Sequence, residues 1–173
     1  MARNIEIKTR IPGVAVLLPR VRALADAGPL ELVQDDTFFP CPNGRLKLRV
    51  CGDGPGQLIF YQRSDAAGPR ESRYHIHETP APRDLGDTLA RAYGVLGRVV
   101  KHRLVYFCGQ TRIHLDRVEG LGEFLELEVV LRPEQTAAEG MAIAEGLCAR
   151  LGLDPADRVA TAYLDLLAAG RKD

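Results

Sequence analysis

The sequence has 173 residues, of which 46% are hydrophobic and 27% are charged, values typical of one globular domain that buries its own core. Lysine and arginine together number 23, and so do aspartate and glutamate, so the overall charge provides no long-range attraction to nucleic acid or anionic lipid. We therefore expect a single domain over residues 1–173, with no nucleic-acid partner and no membrane partner.

The N-terminus and the cysteines indicate the compartment. The first ten residues, MARNIEIKTR, are charged where a secretory signal requires an apolar run. The four cysteines form no C-x-x-C pair, and no stretch approaches the roughly 20 apolar residues that span a bilayer. These features predict a cytoplasmic protein and leave a homodimer open.

The first half of the chain predicts a strand, a helix and then several hairpins. Strict alternation of apolar and polar residues at 3–11 indicates the first strand. Residues 14 to 27 have near-helical apolar spacing, although Pro19 should start, kink or break a helix there. Short strands are predicted at residues 37–39, 45–50, 57–63 and 73–78, with a loop at residues 64–69.

The second half predicts a helix, three strands and two further helices. Asp84 is a candidate N-cap for a helix that ends near Gly94 or Gly97. Strands are predicted at residues 99–107, 111–118 and 124–131. Pro133 is expected to open a helix that ends at Gly152, and a short helix is expected at residues 159–168. The fold class is therefore α+β, with about eight strands and helices that cover one surface.

Charged side chains two residues apart share one face of several predicted strands. These sets are Arg45, Lys47 and Arg49; Lys101 and Arg103; Arg112, His114 and Asp116; and Glu126 and Glu128. Solvent-facing charge on a one-sided sheet accounts for any single strand, but acids at this spacing repel one another unless a cation lies between them. The acids are interpreted as ligands of Mg²⁺ or Mn²⁺, and the bases as a cradle for phosphate oxygens. The proposed metal ligands are Glu6, Asp116, Glu126 and Glu128. Periodicity alone leaves a closed barrel and an open sheet as alternatives.

The N-terminal segment Asn4-Ile-Glu6-Ile-Lys8 resembles the Glu-x-Glu-x-Lys signature of the CYTH superfamily, the triphosphate tunnel metalloenzymes. This superfamily includes class IV adenylyl cyclases and thiamine triphosphatases. The resemblance continues in order through residues 34–39, 43–49, 101–103, 109–116, 120–128 and 162–167, and so covers nearly the whole chain.

The resemblance implies an eight-stranded antiparallel barrel that forms a tunnel, with helices packed outside it. Glu6, Glu126 and Glu128 would then hold the metal, with Asp116 close to it. The implied triphosphate-binding residues are Lys8, Arg45, Lys47, Lys101 and Arg103, with Arg49, Arg63 and Arg112 as helpers. The implied catalytic residues are Glu6, Lys8, Lys101, Arg103 and Asp116. Strand parity also leaves His114 as a candidate proton carrier.

The arrangement and length resemble the cyclase-like branch, which implies conversion of ATP to cyclic AMP and pyrophosphate. A triphosphatase that hydrolyses thiamine triphosphate, tripolyphosphate or a nucleoside triphosphate is the alternative. A non-catalytic module that binds nucleotides or polyphosphate is a third. The chain departs from the motif at Asn4, where a neutral amide replaces the first carboxylate and should weaken a second metal ion. Alternatively, Asn4 only forms a hydrogen bond to a neighbouring strand.

Overall fold

The structure, a computed structural model, describes residues 2–63 and 69–170. Of the loop predicted at residues 64–69, residues 64–68 lie outside the described ones. The strands are β1 (Ala2–Arg10), β2 (Ala27–Phe39), β3 (Arg45–Val50), β4 (Gly56–Arg63), β5 (Arg70–Thr79), β6 (Gly97–Cys108), β7 (Thr111–Val118) and β8 (Gly122–Val130). The helices are α1 (Val14–Leu24), α2 (Pro82–Tyr93), α3 (Ala137–Leu151) and α4 (Tyr163–Ala169), and Pro155–Asp157 forms a 3-10 turn.

The eight strands form a closed antiparallel barrel in the order β1-β5-β4-β3-β2-β6-β7-β8. The α+β barrel predicted from the sequence is confirmed, and the open sheet is not. Because side chains alternate across a strand, every second residue of each strand points into the barrel and the others point outward. In the β1–β8 pairing, Glu6 lies opposite Glu128, and Lys8 lies opposite Glu126.

Outward-facing apolar residues of β1, β7 and β8 form the main core with two helices. Ile5 and Ile7 of β1 are buried in one cluster with Leu17 of α1 and Leu147 of α3. Contact between α3 and the barrel is close at Gly140, where a Cβ atom would lie 2.5 Å from Leu131 Cδ2 and 2.6 Å from Ile5 Cγ1. Helices therefore cover this apolar outer surface, and charged side chains from β1, β3, β6, β7 and β8 face the lumen.

Three predicted boundaries in the first half of the chain are wrong. Strand β2 has 13 residues, Ala27–Phe39, where only residues 37–39 were predicted, and α1 ends at Leu24 rather than residue 27. The missed part of β2 reads Leu-Glu-Leu-Val from Leu30, without clean alternation, because its inward-facing side chains are apolar there and polar only further along. Strand β5 also begins earlier than predicted, at Arg70.

Three helix starts also differ from the predictions. The N-cap of α2 is Ala81, and Asp84 lies in the first turn, because Pro82 occupies the start of the helix where its missing N–H costs nothing. Helix α3 begins after Thr136, whose side chain forms a capping box with Glu139, rather than at Pro133. Helix α4 begins at Tyr163, four residues later than predicted. Among the described helices, none has the length and apolar character needed to cross a membrane.

Candidate active site

The barrel lumen contains a cavity of about 370 Å³. Inward-facing side chains from all eight strands line it, together with Ala162 and Tyr163 from the C-terminal segment. Most of the residues predicted to bind metal or phosphate are brought together in its wall. They are Glu6, Lys8, Lys47, Arg49, Arg63, Lys101, Arg103, Arg112, Glu126 and Glu128.

The charges in this wall are unequal in number. Among the described lining residues, seven are basic, namely Lys8, Lys47, Arg49, Arg63, Lys101, Arg103 and Arg112, and four are acidic, namely Glu6, Asp36, Glu126 and Glu128. When all are ionised, the wall carries an excess of three positive charges. Because opposite charges attract more strongly away from bulk water, the lumen is suited to a compact polyanion.

Arg103 is fixed at the centre of the wall by two carboxylates. Its Nε and Nη2 atoms donate to the two oxygens of Asp116 at 2.6 Å each, and Nη2 also donates to Glu126 Oε2 at 2.7 Å. Tyr163 donates its hydroxyl to Asp116 Oδ2 at 3.0 Å, and Lys101 Nζ lies 3.5 Å from the same oxygen. Arg103 is therefore held in one orientation.

Asp116 has a different position from the one predicted for a metal ligand. Its side chain is fully buried behind Arg103 and is not among the cavity-lining residues. Burial by itself would raise its pKa, but the charges of Arg103 and Lys101 hold the pKa of this carboxyl well below its usual range. Asp116 therefore serves as a counter-ion that positions bases, and the structure places it away from the cavity surface.

Three side chains on β7 and β8 offer a candidate metal site. One ligand atom from each of His114, Glu126 and Glu128 lies within 4.8 Å of the others. The Nδ1 atom of His114 is buried without a hydrogen-bond partner among the described residues, 3.6 Å from Glu126 Oε2. Burial lowers the pKa of His114, which favours the neutral imidazole that binds metals. The donor set therefore fits a divalent cation.

Glu6 lies beside this group but is not one of its three members. It faces Glu128 across the β1–β8 pairing, and its Oε2 atom is 3.3 Å from Arg63 Nη1. Burial, followed by the charges of Glu126 and Glu128, raises the pKa of Glu6. Crowded carboxylates of this kind are relieved by a cation, so the surroundings of Glu6 also suit a metal.

Asp36 on β2 is a site residue that the sequence reasoning missed. Its Oδ2 atom lies 2.7 Å from Lys47 Nζ, and Arg49 donates to both its oxygens at 2.7 and 2.8 Å. These charges lower the pKa of Asp36 in spite of its burial. Burial, with the charge of Arg49, in turn lowers the pKa of Lys47 to about 8. Asp36 thus neutralises part of the predicted phosphate cradle.

Arg45 lies apart from the rest of that cradle. Its Nη2 atom is 2.6 Å from Asp165 Oδ2 of α4, and it lines a second, smaller cavity with Leu164 instead of the lumen. It was predicted to bind triphosphate because it shares strand parity with Lys47 and Arg49. Strand parity determines which side of the sheet a side chain faces, but not how far along the barrel it lies. Arg45 is the first residue of β3 and lies at the end of the barrel that α4 covers.

The C-terminal segment contributes more to the site than the sequence pattern indicated. The carbonyl of Thr161 accepts a hydrogen bond from Lys8 Nζ at 3.1 Å, and that of Ala160 accepts one from Arg70. The ring of Tyr163 has Lys8 Nζ 4.1 Å from its centroid and Lys101 Nζ 5.1 Å from it. No local sequence pattern indicates these contacts, because they join residues far apart in the chain, such as Lys8 and Thr161, which are 153 positions apart.

Burial lowers the pKa of Lys8 to about 7.

Asn4, at the departure from the signature, also lines the cavity, and only 3% of its surface is exposed. Its Oδ1 atom has no hydrogen-bond partner among the described residues. The alternative in which Asn4 only bonds a neighbouring strand is therefore not supported for that atom.

Comparison with known proteins places this geometry in a family. Residues 2–163 match the CYTH domain. A relative named adenylate cyclase CyaB from Aeromonas hydrophila is 25% identical over 94% of this chain and 87% of its own. A solved protein of Pyrococcus horikoshii is 26% identical, with a TM-score of 0.85 over 95% of this chain and 99% of that one. A Hippeastrum protein, described as a candidate adenylyl cyclase with dominant triphosphatase activity, has the same fold at 15% identity, with a TM-score of 0.69 over 98% of this chain and 96% of that one. The chain belongs to the CYTH family.

Proposed function

We propose that the lumen is the active site of a divalent-metal-dependent enzyme that acts on a triphosphate substrate. The observation that carries the proposal is the meeting, in one cavity, of seven basic side chains with the His114, Glu126 and Glu128 group. Membership of the CYTH family supports it, since adenylyl cyclases and triphosphatases occur in that family.

The side chains of the lumen supply what phosphoryl or nucleotidyl transfer requires of a protein, which is positioning and charge neutralisation. Lys47, Arg49 and Lys101 would bind the phosphate oxygens, while Arg103, already oriented by its carboxylates, would meet the charge that develops on the leaving group. Lys8, with its pKa near 7, can lose a proton at neutral pH and so can donate one to a departing phosphate oxygen.

His114, Glu126 and Glu128 are the residues that would hold the metal, with Glu6 next to them. Mg²⁺ or Mn²⁺ bound there would supply further neutralisation of phosphate charge and polarise a phosphoryl oxygen.

The first candidate reaction is conversion of ATP to cyclic AMP and pyrophosphate. The ribose 3′-oxygen would attack the α-phosphorus, the bond from that phosphorus to the bridging oxygen of the β-phosphate would break to release pyrophosphate, and the 3′-hydroxyl proton would pass to water. The relative from Aeromonas hydrophila, which aligns over most of both chains, favours this reaction.

The second candidate is a triphosphatase, in which water attacks the γ-phosphorus, the bond from that phosphorus to the bridging oxygen breaks, and orthophosphate and the diphosphate are released. The same cradle serves both reactions, and the activity described for the Hippeastrum protein of the same fold favours this one. A third candidate is a non-catalytic nucleotide or polyphosphate binder, which the missing first carboxylate of the signature at Asn4 favours.

A product-resolved assay tests the proposal. ATP, GTP, tripolyphosphate and thiamine triphosphate are each incubated with Mg²⁺ or Mn²⁺, and cyclic nucleotide, pyrophosphate and orthophosphate are measured separately. We expect Glu126→Gln to reduce turnover by about a hundredfold or more. Glu71→Gln is the matched control, because Glu71 pairs with Arg3 at 2.8 Å outside the lumen. Ligand binding without turnover in the wild type would identify a binder.

A further inference from the structure

The carboxylates that line the lumen lie on two opposite walls. Glu6, Glu126 and Glu128 belong to β1 and β8, whereas Asp36 belongs to β2. In the closed barrel, β2 is separated from β1 by three strands in either direction. Among the described lining residues, Asp36 is therefore the one acid on the wall opposite the candidate metal group. It is only 2% exposed, so its charge has to be balanced by neighbouring side chains rather than by water.

The neighbours of Asp36 are two bases of β3. Strand pairing places Asp36 directly opposite Arg49. Lys47 donates one hydrogen bond to the carboxylate and Arg49 donates two, so that both of its oxygens are bound by bases. An ammonium group and a guanidinium group each have more donors than these bonds use. Both bases can therefore bind a phosphate oxygen while they hold Asp36.

A second group of the same composition lies on β6 and β7. Lys101 and Arg103 are also two residues apart on one strand, and both contact the carboxylate of Asp116. Asp116 is not among the residues that line the cavity, whereas Asp36 is. The charge of Asp36 therefore acts at the surface where a ligand binds, and not only behind it.

We propose that Asp36 is a positioning residue for the lumen reaction, which keeps Lys47 charged and Arg49 oriented before a polyanion binds. This inference rests on the proposed function and adds to it a residue that acts through the phosphate-binding bases. Arg49 stays protonated in any surroundings, so Asp36 controls only its orientation. Lys47 can lose its proton, so Asp36 controls both its orientation and its charge.

The charge of Lys47 depends on groups from four strands. Burial and the charge of Arg49 on the same strand lower the pKa of Lys47, the charge of Asp36 on β2 raises it, and that of Lys101 on β6 lowers it. Tyr61 on β4 has its ring centroid 5.7 Å from Lys47 Nζ, and burial raises the pKa of this phenol to about 12, so that it stays neutral. Without the carboxylate of Asp36, Lys47 should lose its proton at a lower pH.

The affinity for tripolyphosphate, measured against pH, tests this role. Dissociation constants are determined by calorimetry with a chelator present, which removes metal ions and leaves the lumen bases in place. The variants are Asp36→Asn and Asp36→Glu, with Asp35→Asn as the matched control. Asp35 precedes Asp36 on β2, but its carboxylate pairs with Arg98 outside the lumen.

In the wild type, affinity should begin to fall near pH 8, where Lys47 loses its proton. In Asp36→Asn the fall should begin about one to three pH units lower, the shift that loss of an adjacent opposite charge produces. Addition of Lys47→Arg, which keeps its charge, should abolish this shift. Asp35→Asn should bind as the wild type does at every pH.

Asp36→Glu keeps the charge but lengthens the side chain, and it decides the question if Asp36→Asn does not fold. Its affinity should be about threefold to tenfold lower at every pH, the loss expected when one charged hydrogen bond is weakened, with the fall still beginning near the wild-type pH. An unshifted fall in Asp36→Asn, or wild-type affinity in Asp36→Glu, would overturn the inference and leave the proposed function intact. Absence of tripolyphosphate binding by the wild type, with or without Mg²⁺, would overturn both.

Discussion

The guanidinium group of Arg103 and the carboxylate of Asp116 form two parallel hydrogen bonds of 2.6 Å inside the barrel wall. Both side chains are almost completely buried, at 4% and 0% exposure. A paired geometry of this kind restricts the orientation of the base as well as its position. Asp116 thus prepares Arg103 for a ligand on its other side.

Asp116→Asn should therefore reduce the free energy of unfolding by about 3 kcal/mol, because it leaves buried cations without their main counter-charge. Asp35→Asn is the control, since Asp35 pairs with Arg98 on the exposed surface, where such a pair contributes about 1 kcal/mol or less. Urea denaturation of both variants measures the difference. Equal losses would contradict the structural role of Asp116.

Tyr163 should act through its ring as well as its hydroxyl. Tyr163→Phe removes only the hydrogen bond to Asp116, whereas Tyr163→Leu also removes the cation–π contacts with Lys8 and Lys101. Tripolyphosphate affinity should fall by less than about threefold in the first variant and about tenfold in the second, if each contact contributes roughly 0.5–1 kcal/mol. Calorimetric titration measures both.

Phe124→Leu provides the control for general damage to the packing around Tyr163. Phe124 packs against Tyr163 with ring centroids 4.9 Å apart and is fully buried. The Phe124→Leu substitution should lower the melting temperature and leave tripolyphosphate affinity close to that of the wild type. An affinity loss as large as in Tyr163→Leu would show that the ring has no specific role.

Parity predicted most of the residues that share the lumen, whereas the closed barrel was expected from the resemblance to the CYTH superfamily, because periodicity alone left an open sheet as an alternative. Residues two apart share a face of a strand, so the spacing alone placed Glu126 with Glu128, and Lys101 with Arg103. The same rule could not tell how far along the barrel each residue lies, which is why Arg45 was assigned to the cradle.

Other features depend on contacts that no local pattern encodes. Asp36 and Tyr163 enter the site through pairing between distant segments, and a single acid or aromatic residue carries no spacing signal. Most of β2 was missed because its inward face changes from apolar at Leu30 to charged at Asp36, which hides the alternation that identifies a strand.

Phosphate affinity should depend on pH through Lys47. Burial lowers its pKa to about 8, and a bound polyanion favours the protonated form. Tripolyphosphate binding is therefore strongest below pH 8 and weakens as the pH rises through that value, because the complex must then take up a proton. Calorimetry from pH 7.5 to 9.5 follows the loss, and comparison with Lys47→Arg removes the contribution of the ligand's own ionisation. Lys47→Arg, which stays charged, should show a smaller decline, and an identical decline would exclude Lys47 as the titrating group.

Asn4→Glu should strengthen metal binding. The added carboxylate would enter the cavity wall one inward position from Glu6, and an attraction of about 1–3 kcal/mol between it and a divalent ion is expected after desolvation. Titration of Mn²⁺ into both proteins, followed by paramagnetic resonance of the free ion, gives affinity and stoichiometry. Unchanged values for both would show that residue 4 does not sense the metal.

The central claim is that the lumen needs a divalent cation to turn over a triphosphate. The direct measurement is the rate of ATP breakdown, with cyclic AMP, pyrophosphate and orthophosphate resolved, in Mg²⁺ or Mn²⁺ and again in excess chelator. We predict turnover that is abolished by the chelator, restored by added metal and reduced by about a hundredfold or more in Glu126→Gln and Glu128→Gln. Undiminished turnover in chelator, or full activity in both variants, would contradict the account.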